Sequence, residues 1–340
     1  MAWGSGAGSL MLNVGLVGAG AVATTFHLPA WNQVPGARVV AICDIDEHAA
    51  RQAAAVCQAK TYSTYEDMLS KESLDIVDIC TPHVLHARQA CQALEHDLHV
   101  VVEKPFATEP SDAAAVIARA KARNRKVMCA QHQRFRPVTS VARQLICDGE
   151  LGTIYYARAQ AIKSRGIPDA RSYMERRLSG GGPMMDLGSH VIDLAWWLMG
   201  CPAPTQVLGS VMTKMARDTD VEDFGCAHIQ FANGSVMSVE TSYLLNSHAD
   251  CVRVELFGDK GGLLWPDMVL TRDVNGKCCR TVVPVTDDTL ASVAELRHFV
   301  ECVVADSPTL VPLEESQTMV DILAGIYASS RQKAVVTFCG

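Results

Sequence analysis

Leu12-Asn-Val-Gly-Leu-Val-Gly-Ala-Gly-Ala-Val-Ala23 is the stretch whose reading sets the fold. Leu12–Val17 is a short apolar strand, and Gly18 to Ala23 then opens a helical pattern that runs to about Val34. Strand, glycine-rich turn and helix, in that order, are the context in which G-x-G-x-x-A binds the pyrophosphate of a dinucleotide. Gly18 permits the tight turn, and Gly20 lets the backbone approach the phosphates. Ala23 is small enough for the helix to pack closely on the strand. The helix N-terminus, where Ala21 and Val22 lie, favours the negative charge.

Working outward, a second strand, Ala37–Cys43, ends at Asp44, which stands 21 residues after Ala23. An acidic side chain there binds the adenosine ribose hydroxyls and repels a 2′-phosphate, so NAD is expected over NADP. Asp46 is placed as the N-cap of a helix, Glu47–Cys57. The alternation continues with strand Lys60–Tyr62, helix Tyr65–Ser70 and strand Leu74–Cys80. Thr81-Pro82 and a helix, His83–Glu95, follow, and helix Pro110–Asn124 and strand Lys126–Gln131 close the series. Alternating strands and helices predict a right-handed, doubly wound parallel sheet, a Rossmann domain. The alternative is a degenerate Rossmann domain that holds no cofactor.

Within that series Leu98–Pro105 reads LHVVVEKP. Val100 to Val102 form a β-branched run suited to a strand buried on both faces. Pro105 cannot continue a central ladder, so the strand ends on two charges, Glu103 and Lys104. Open α/β sheets bind their ligands at that carboxyl edge. An ordinary strand end with solvated charges is the competing reading.

After about residue 135 the pattern changes. Glu150–Ile162 reads as a strand, and more strand candidates lie between Gln206 and Val283. Turns at Asn233-Gly234, Gly258-Asp259 and Asn275-Gly276 separate them. Two helices, about Thr289–Asp306 and Leu313–Ser330, come last. The expected organisation is a flexible leader over residues 1–11 and a Rossmann domain over 12–133. An α+β domain with a large, mostly antiparallel sheet would fill 134–340. The chain has 340 residues, 49% of them hydrophobic and 20% charged, enough for two cores. A net charge of −7 gives no basic surface for nucleic acid or an anionic membrane. No apolar run approaches the ~20 residues of a membrane helix. The 13 cysteines are scattered, which suits reduced thiols in the cytoplasm rather than a disulfide framework or metal site.

Gly180-Gly-Gly-Pro-Met-Met-Asp-Leu-Gly-Ser-His-Val-Ile-Asp193 marks the second domain's site. Pro183 suits the first turn of a helix that runs to about Met199 and stops at Gly200. The helix is apolar almost all round, hence buried. Asp186, His190 and Asp193 nevertheless share one face, and buried charges need partners. A structural reading has Asp186 stabilising the helix N-terminus and His190 as a satisfied core histidine. A functional reading makes the pair a site.

These motifs together resemble the glucose–fructose oxidoreductase/inositol dehydrogenase (Gfo/Idh/MocA) family. Gly18-Ala19-Gly20, Asp44, Thr81-Pro82 with His86, and Glu103-Lys104-Pro105 carry the likeness. So do Arg134-Phe135-x-Pro137 and Gly180-Gly-Gly with Asp186, Gly188, His190 and Asp193. The resemblance spans Leu12 to Phe338. It implies an open-faced C-terminal sheet used for oligomer contacts, as a homodimer or homotetramer. It also implies NAD(P)-dependent chemistry on sugars, cyclitols and related hydroxy compounds. Thr81, Pro82, His86 and Glu103 would then serve the cofactor, with Glu103 positioning the nicotinamide ribose or Lys104. Lys104, Asp186 and His190 would line the substrate pocket. In the expected mechanism His190, oriented by Asp186, takes the proton of a secondary hydroxyl, and Lys104 steadies the developing alkoxide. Burial and the positive nicotinamide would lower the Lys104 pKa. His83 and His132 stand where family members vary, and are either contacts to cofactor or substrate or, the preferred reading, ordinary loop residues. The segment Lys163–Arg177 carries Lys163, Arg165, Arg171, Arg176 and Arg177. It either borders the pocket, with Arg165 facing an anionic substrate, or is a solvated surface or subunit contact. Two other functions stay open: a redox-assisted glycoside hydrolase or lyase, and a non-catalytic NAD- or sugar-sensing regulator.

Overall fold

A computed structural model describes residues 11–168, 171–286 and 290–338, so the expected leader lies outside the described residues apart from Met11. The first half builds six strands: β1 (Leu12–Val17), β2 (Ala37–Cys43), β3 (Lys60–Tyr62), β4 (Ile76–Ile79), β5 (His99–Glu103) and β6 (Val127–Ala130). They form one parallel sheet in the order β3-β2-β1-β4-β5-β6. Val100, Val101 and Val102 are fully buried, as a run of β-branched residues in a two-sided sheet requires. The helices are α1 (Leu28–Trp31), α2 (Glu47–Cys57), α3 (Tyr65–Lys71), α4 (His86–Glu95) and α5 (Pro110–Arg123). Asp46 caps α2 by accepting the His48 and Ala49 N–H groups, and Thr64 caps α3 through Asp67.

Two local expectations needed revision. The helix after the glycine turn ends at Trp31, not Val34, and Ala23–His27 is π-helical. That wider turn delivers His27 inward, against the ends of β4 and β5. His83–Leu85 is a separate 3₁₀ turn ahead of α4 rather than its first turn.

The second half holds α6 (Pro137–Cys147), α7 (Arg176–Ser179) and α8 (Pro183–Leu198). Its strands are β7 (Ile154–Ile162), β8 (Pro204–Met212), β9 (Phe224–Phe231), β10 (Val236–Ser242) and β11 (Cys251–Gly258). β12 (Gly261–Trp265), β13 (Val269–Val274), β14 (Lys277–Val282) and β15 (Val336–Thr337) complete a nine-stranded sheet. Its order is β14-β13-β12-β11-β7-β10-β9-β8-β15, and β7 with β10 is a parallel pair in an otherwise antiparallel array. One face, with Ala157, Ala159, Val239, Val254 and Leu256, packs on α8. The other face is polar: Arg158 pairs with Glu255 at 2.9 Å, and Gln160 bridges Arg253 and Glu240.

The last helices are α9 (Ala291–Ala305) and α10 (Leu313–Gln332). Val293, Leu296, Phe299 and Val300 of α9 sink into the core of the first sheet. α10 divides its apolar residues between both cores. The chain therefore returns to its first half after finishing the second, and the cleft between the halves is walled from both.

Candidate active site between the two domains

The glycine turn is built for close approach. Gly18 has φ +91°, and a Cβ there would meet the Cys80 carbonyl at 2.5 Å. Gly20 has nothing within 4 Å of where its Cβ would stand, which leaves room for a phosphate on the backbone. At the end of β2 the Asp44 carboxylate accepts the N–H of Ala19 at 2.6 Å and of Asp46 at 2.8 Å. It is thereby pinned at the turn, in position for a ribose diol. The Cys80–Thr81 backbone packs behind Gly18, with the Thr81 hydroxyl donating to Gln89 at 2.5 Å. His86 does not reach the cavity. It is fully buried, and its two ring nitrogens lie 2.8 Å from the carbonyl oxygens of Pro105 and Thr81. Its part is to tie the Thr81 loop to the end of β5.

A cavity of about 490 Å³ lies beside this turn, with Val22 on one wall and Glu103, Lys104, His132, Tyr173, Asp186 and His190 on the others. Lys104 stands at the end of β5, where its peptide bond to Pro105 is cis. Its ammonium donates to Asp186 Oδ1 at 2.6 Å and to the Asp186 carbonyl at 3.2 Å. Gly182 starts α8 in close contact with the loop that leads into β9. A Cβ at Gly182 would lie 2.1 Å from the Glu222 carbonyl oxygen. Burial disfavours charge on both partners, yet each holds the other charged. Asp186 raises the Lys104 pKa above its usual value, and Lys104 lowers that of Asp186. The expected lowering of Lys104 is thus reversed by the carboxylate beside it.

The expected Asp186–His190 pairing is also corrected. The second carboxylate oxygen, Oδ2, accepts the Tyr243 hydroxyl at 2.8 Å, so Asp186 orients Lys104 rather than the imidazole. His190 Nδ1 is buried without a hydrogen-bond partner. Its ring stands edge-to-face on His132, with centroids 4.9 Å apart. Burial first, and the Lys104 charge second, push His190 well below its ordinary value. His132 falls to about 4, again mainly through burial. Both rings are therefore neutral at neutral pH.

Glu103 is anchored from below. His27 joins Asp78 through Nδ1 and Glu103 through Nε2, both at 2.8 Å, and Trp31 donates to Asp78 at 2.7 Å. Burial works against a charge on His27, but Asp78 more than offsets it and raises the pKa well above 6.5. Despite burial, Glu103 is held down to about 2 by His27 and Lys104. His27, Asp78 and Cys80 each place a donor atom within 4.8 Å of the others. The Asp78 oxygen on His27 already accepts two hydrogen bonds, so the cluster works as a buried charge anchor.

Among the described residues Lys163, Arg165, Arg176 and Arg177 do not line the cavity, and the Arg171 side chain lies outside what is described. Arg165 donates to the Leu245 carbonyl and to Asn246, Lys163 pairs with Asp250, and Arg176 with the Asp220 carbonyl. Arg177 pairs with Glu175. From this stretch it is Tyr173, edge-on to His83 at 5.5 Å, that lines the cavity. Tyr173, Tyr243 and His27 were not read from the sequence, and His132 was weighed there as a contact but not preferred as one. Asp78 alone gave a signal, a charge inside the apolar strand Ile76–Ile79.

The profile described as "Oxidoreductase family, NAD-binding Rossmann fold" matches residues 12–131, and that of the GFO/IDH/MocA C-terminal domain matches 139–264. The chain belongs to the GFO/IDH/MocA oxidoreductase family. Among curated relatives of this GFO/IDH/MocA chain is a D-glucoside 3-dehydrogenase of Escherichia coli (strain K12). It is 28% identical, with 94% of this chain and 95% of the relative covered. A levoglucosan dehydrogenase of Pseudarthrobacter phenanthrenivorans is 27% identical over 75% of this chain and 73% of its own. The solved levoglucosan dehydrogenase in complex with NADH and levoglucosan superposes with a TM-score of 0.87. It is 22% identical and covers 96% of this chain and 99% of its own. GenD2 from gentamicin A biosynthesis, in complex with NAD, gives a TM-score of 0.86 at 23% identity, with all of both chains covered. The chain is accordingly an oxidoreductase with an NAD-binding Rossmann domain. The open cradle at Gly20 and the pinned Asp44 fit that cofactor. Among the described residues no helix is long and apolar enough to cross a membrane.

Proposed function

We propose that this enzyme transfers hydride between the nicotinamide of NAD and a secondary hydroxyl carbon of a neutral sugar, cyclitol or glycoside. The carrying observation is that Lys104, Asp186 and His190 converge on one cavity that is also lined by Val22, which follows Gly18, Gly20 and Ala21 in the proposed cofactor turn. The bound nicotinamide supplies the hydride acceptor. Thr81 backs the glycine turn, with Pro82 next in the chain as a further cofactor contact, and Asp44 disfavours a 2′-phosphate, hence NAD over NADP. Glu103 holds the base of the cofactor pocket and helps keep Lys104 charged. Among the described residues Lys104 uses two of its three N–H bonds on Asp186, and the third is left for the substrate oxygen. That donation stabilises a developing alkoxide. His190, neutral and otherwise unpartnered at Nδ1, takes the hydroxyl proton.

The pairing of Lys163, Arg165, Arg176 and Arg177 with partners of their own favours an uncharged substrate over an anionic one. The names of the curated relatives, which include glucoside, levoglucosan and apiose dehydrogenases, support a sugar-like substrate. The polar outer face of the nine-stranded sheet is the proposed contact of a homodimer or homotetramer. Its cysteine-rich composition suits a reducing compartment, so the proposed location is the cytoplasm.

The deciding experiment is a panel of sugars, cyclitols, uronates and glycosides, each assayed with NAD and NADP. Stoichiometric NADH formation with neutral polyols, faster with NAD, is the expected result. Glycoside cleavage without net NADH would replace the reading by a redox-assisted hydrolase or lyase. Tight ligand binding with no turnover at all would leave a sensor.

A further inference from the structure

Each oxidation leaves a proton on the acceptor base, and the base at this site is badly suited to keep it. The His190 Nδ1 atom is buried without a partner, and the fixed Lys104 ammonium adjoins the ring. The imidazolium it forms must therefore discharge before the next turnover. Asp186 cannot take the proton, because its oxygens are committed to Lys104 and Tyr243. What stands against His190 is a second imidazole. His132, at the entry of a short 3₁₀ turn (His132–Phe135), contacts it edge-to-face at 4.9 Å. His132 lines the same cavity as His190, and both are partly buried as residues.

We propose that His132 is the second member of a two-imidazole proton relay, a reading that rests on the dehydrogenase function above. In one turnover the carbinol C–H bond breaks and its hydride goes to oxidised nicotinamide. The O–H bond breaks as the carbon–oxygen double bond forms, and the proton bonds to a nitrogen of neutral His190. A rotation of either ring, or one water in the cavity, then passes that proton to His132, which releases it to solvent. In the reducing direction the same steps run backwards. Four charged groups on three segments face His132: Glu103 and Lys104 at the end of β5, His27 from the π-helical turn, and Arg136 beyond its own turn. Facing His190 are Lys104, His132 and His83. The negative charge of Glu103 favours a proton on His132, and no carboxylate does so for His190. The gradient between the two rings thus points outward. Chains of polar groups that alternate donor and acceptor are how buried sites exchange protons with water.

His132→Gln, which keeps a polar side chain but cannot carry a proton, is the test. In the wild-type enzyme with its substrate, kcat is compared with that of the variant. A fall of about tenfold in kcat with KM nearly unchanged is expected, below the full loss from removing a base. The solvent deuterium effect on kcat should grow, and added imidazole should restore part of the rate. A variant turning over within twofold of wild type would overturn the relay. So would a slower variant whose rate imidazole leaves unchanged. A second measurement needs neither substrate nor cofactor. The side-chain ¹⁵N shifts of both histidines at neutral pH should show tautomer-exchanging neutral rings, and His190 should settle into one tautomer in the variant. Unchanged His190 shifts would sink the relay even if dehydrogenase activity is confirmed. A shifted His190 in a protein with no polyol turnover would uphold the coupling and fault the functional reading instead.

Discussion

Two buried ion pairs on α8, at Asp186 and Asp193, share a helix face and differ in kind. Asp193 meets Arg134, whose guanidinium grips it with Nε at 2.8 Å and one terminal nitrogen at 2.6 Å. The other terminal nitrogen takes Glu315 of α10 at 2.5 Å and the Leu310 carbonyl at 3.3 Å. The Arg134 side chain is wholly buried, so the planar fork is filled on every side. Asp186 meets Lys104, a point charge with a donor to spare at a cavity wall. An arginine that cannot lose its proton and has no free edge is a brace tying the turn after β6 to α8 and α10. A lysine beside open volume keeps its charge, a donor and room for a reactant. The same helix, one carboxylate two turns from the other, carries both a brace and a reaction centre.

Replacing each cation in turn should separate these roles. Lys104→Met is expected to lower kcat by about 10²–10⁴-fold while cofactor titration shows NAD affinity nearly intact. Turnover close to wild type in that variant would erase the distinction. Arg134→Ala should cost about 3–5 kcal/mol of unfolding free energy in denaturant titration, because it strands buried carboxylates. A wild-type denaturation midpoint would show that Arg134 braces nothing. Glu103, held at about 2 in the folded chain against an ordinary 4.5, should contribute stability above pH 4.5 and lose it as pH falls toward 2. The acid limb of a stability–pH curve should therefore flatten in Glu103→Gln. An identical limb would place the acid sensitivity elsewhere. The smallest effect is expected from Arg165→Ala, with KM for a neutral substrate changing less than twofold, since its partners are Leu245 and Asn246. A large rise in KM would return Arg165 to the pocket.

The elements of the first half were legible because local order carried the signal. Val100–Val102 had to be a two-sided strand, Pro105 had to end it, and Gly18 had to turn. Lys104, Asp186 and His190 were also readable as charges in otherwise apolar surroundings. Their pairing was not. Spacing along a helix places Asp186 and His190 on one face, but it cannot say which neighbour a carboxylate prefers. Tyr243 and Lys104 arrive from β10's end and from β5, far away in the chain, and they took both oxygens. His132 sat in a turn with no periodic pattern to mark it.

Residue order alone determined the two sheets, the dinucleotide turn and the roster of chemically able side chains, because those follow from steric and periodic rules acting over a few residues. Tertiary structure decided which cation each aspartate holds, that α9 returns to the first core, and that two histidines share a wall. Those outcomes depend on distances between segments far apart in sequence, and burial at such contacts fixes which groups stay charged.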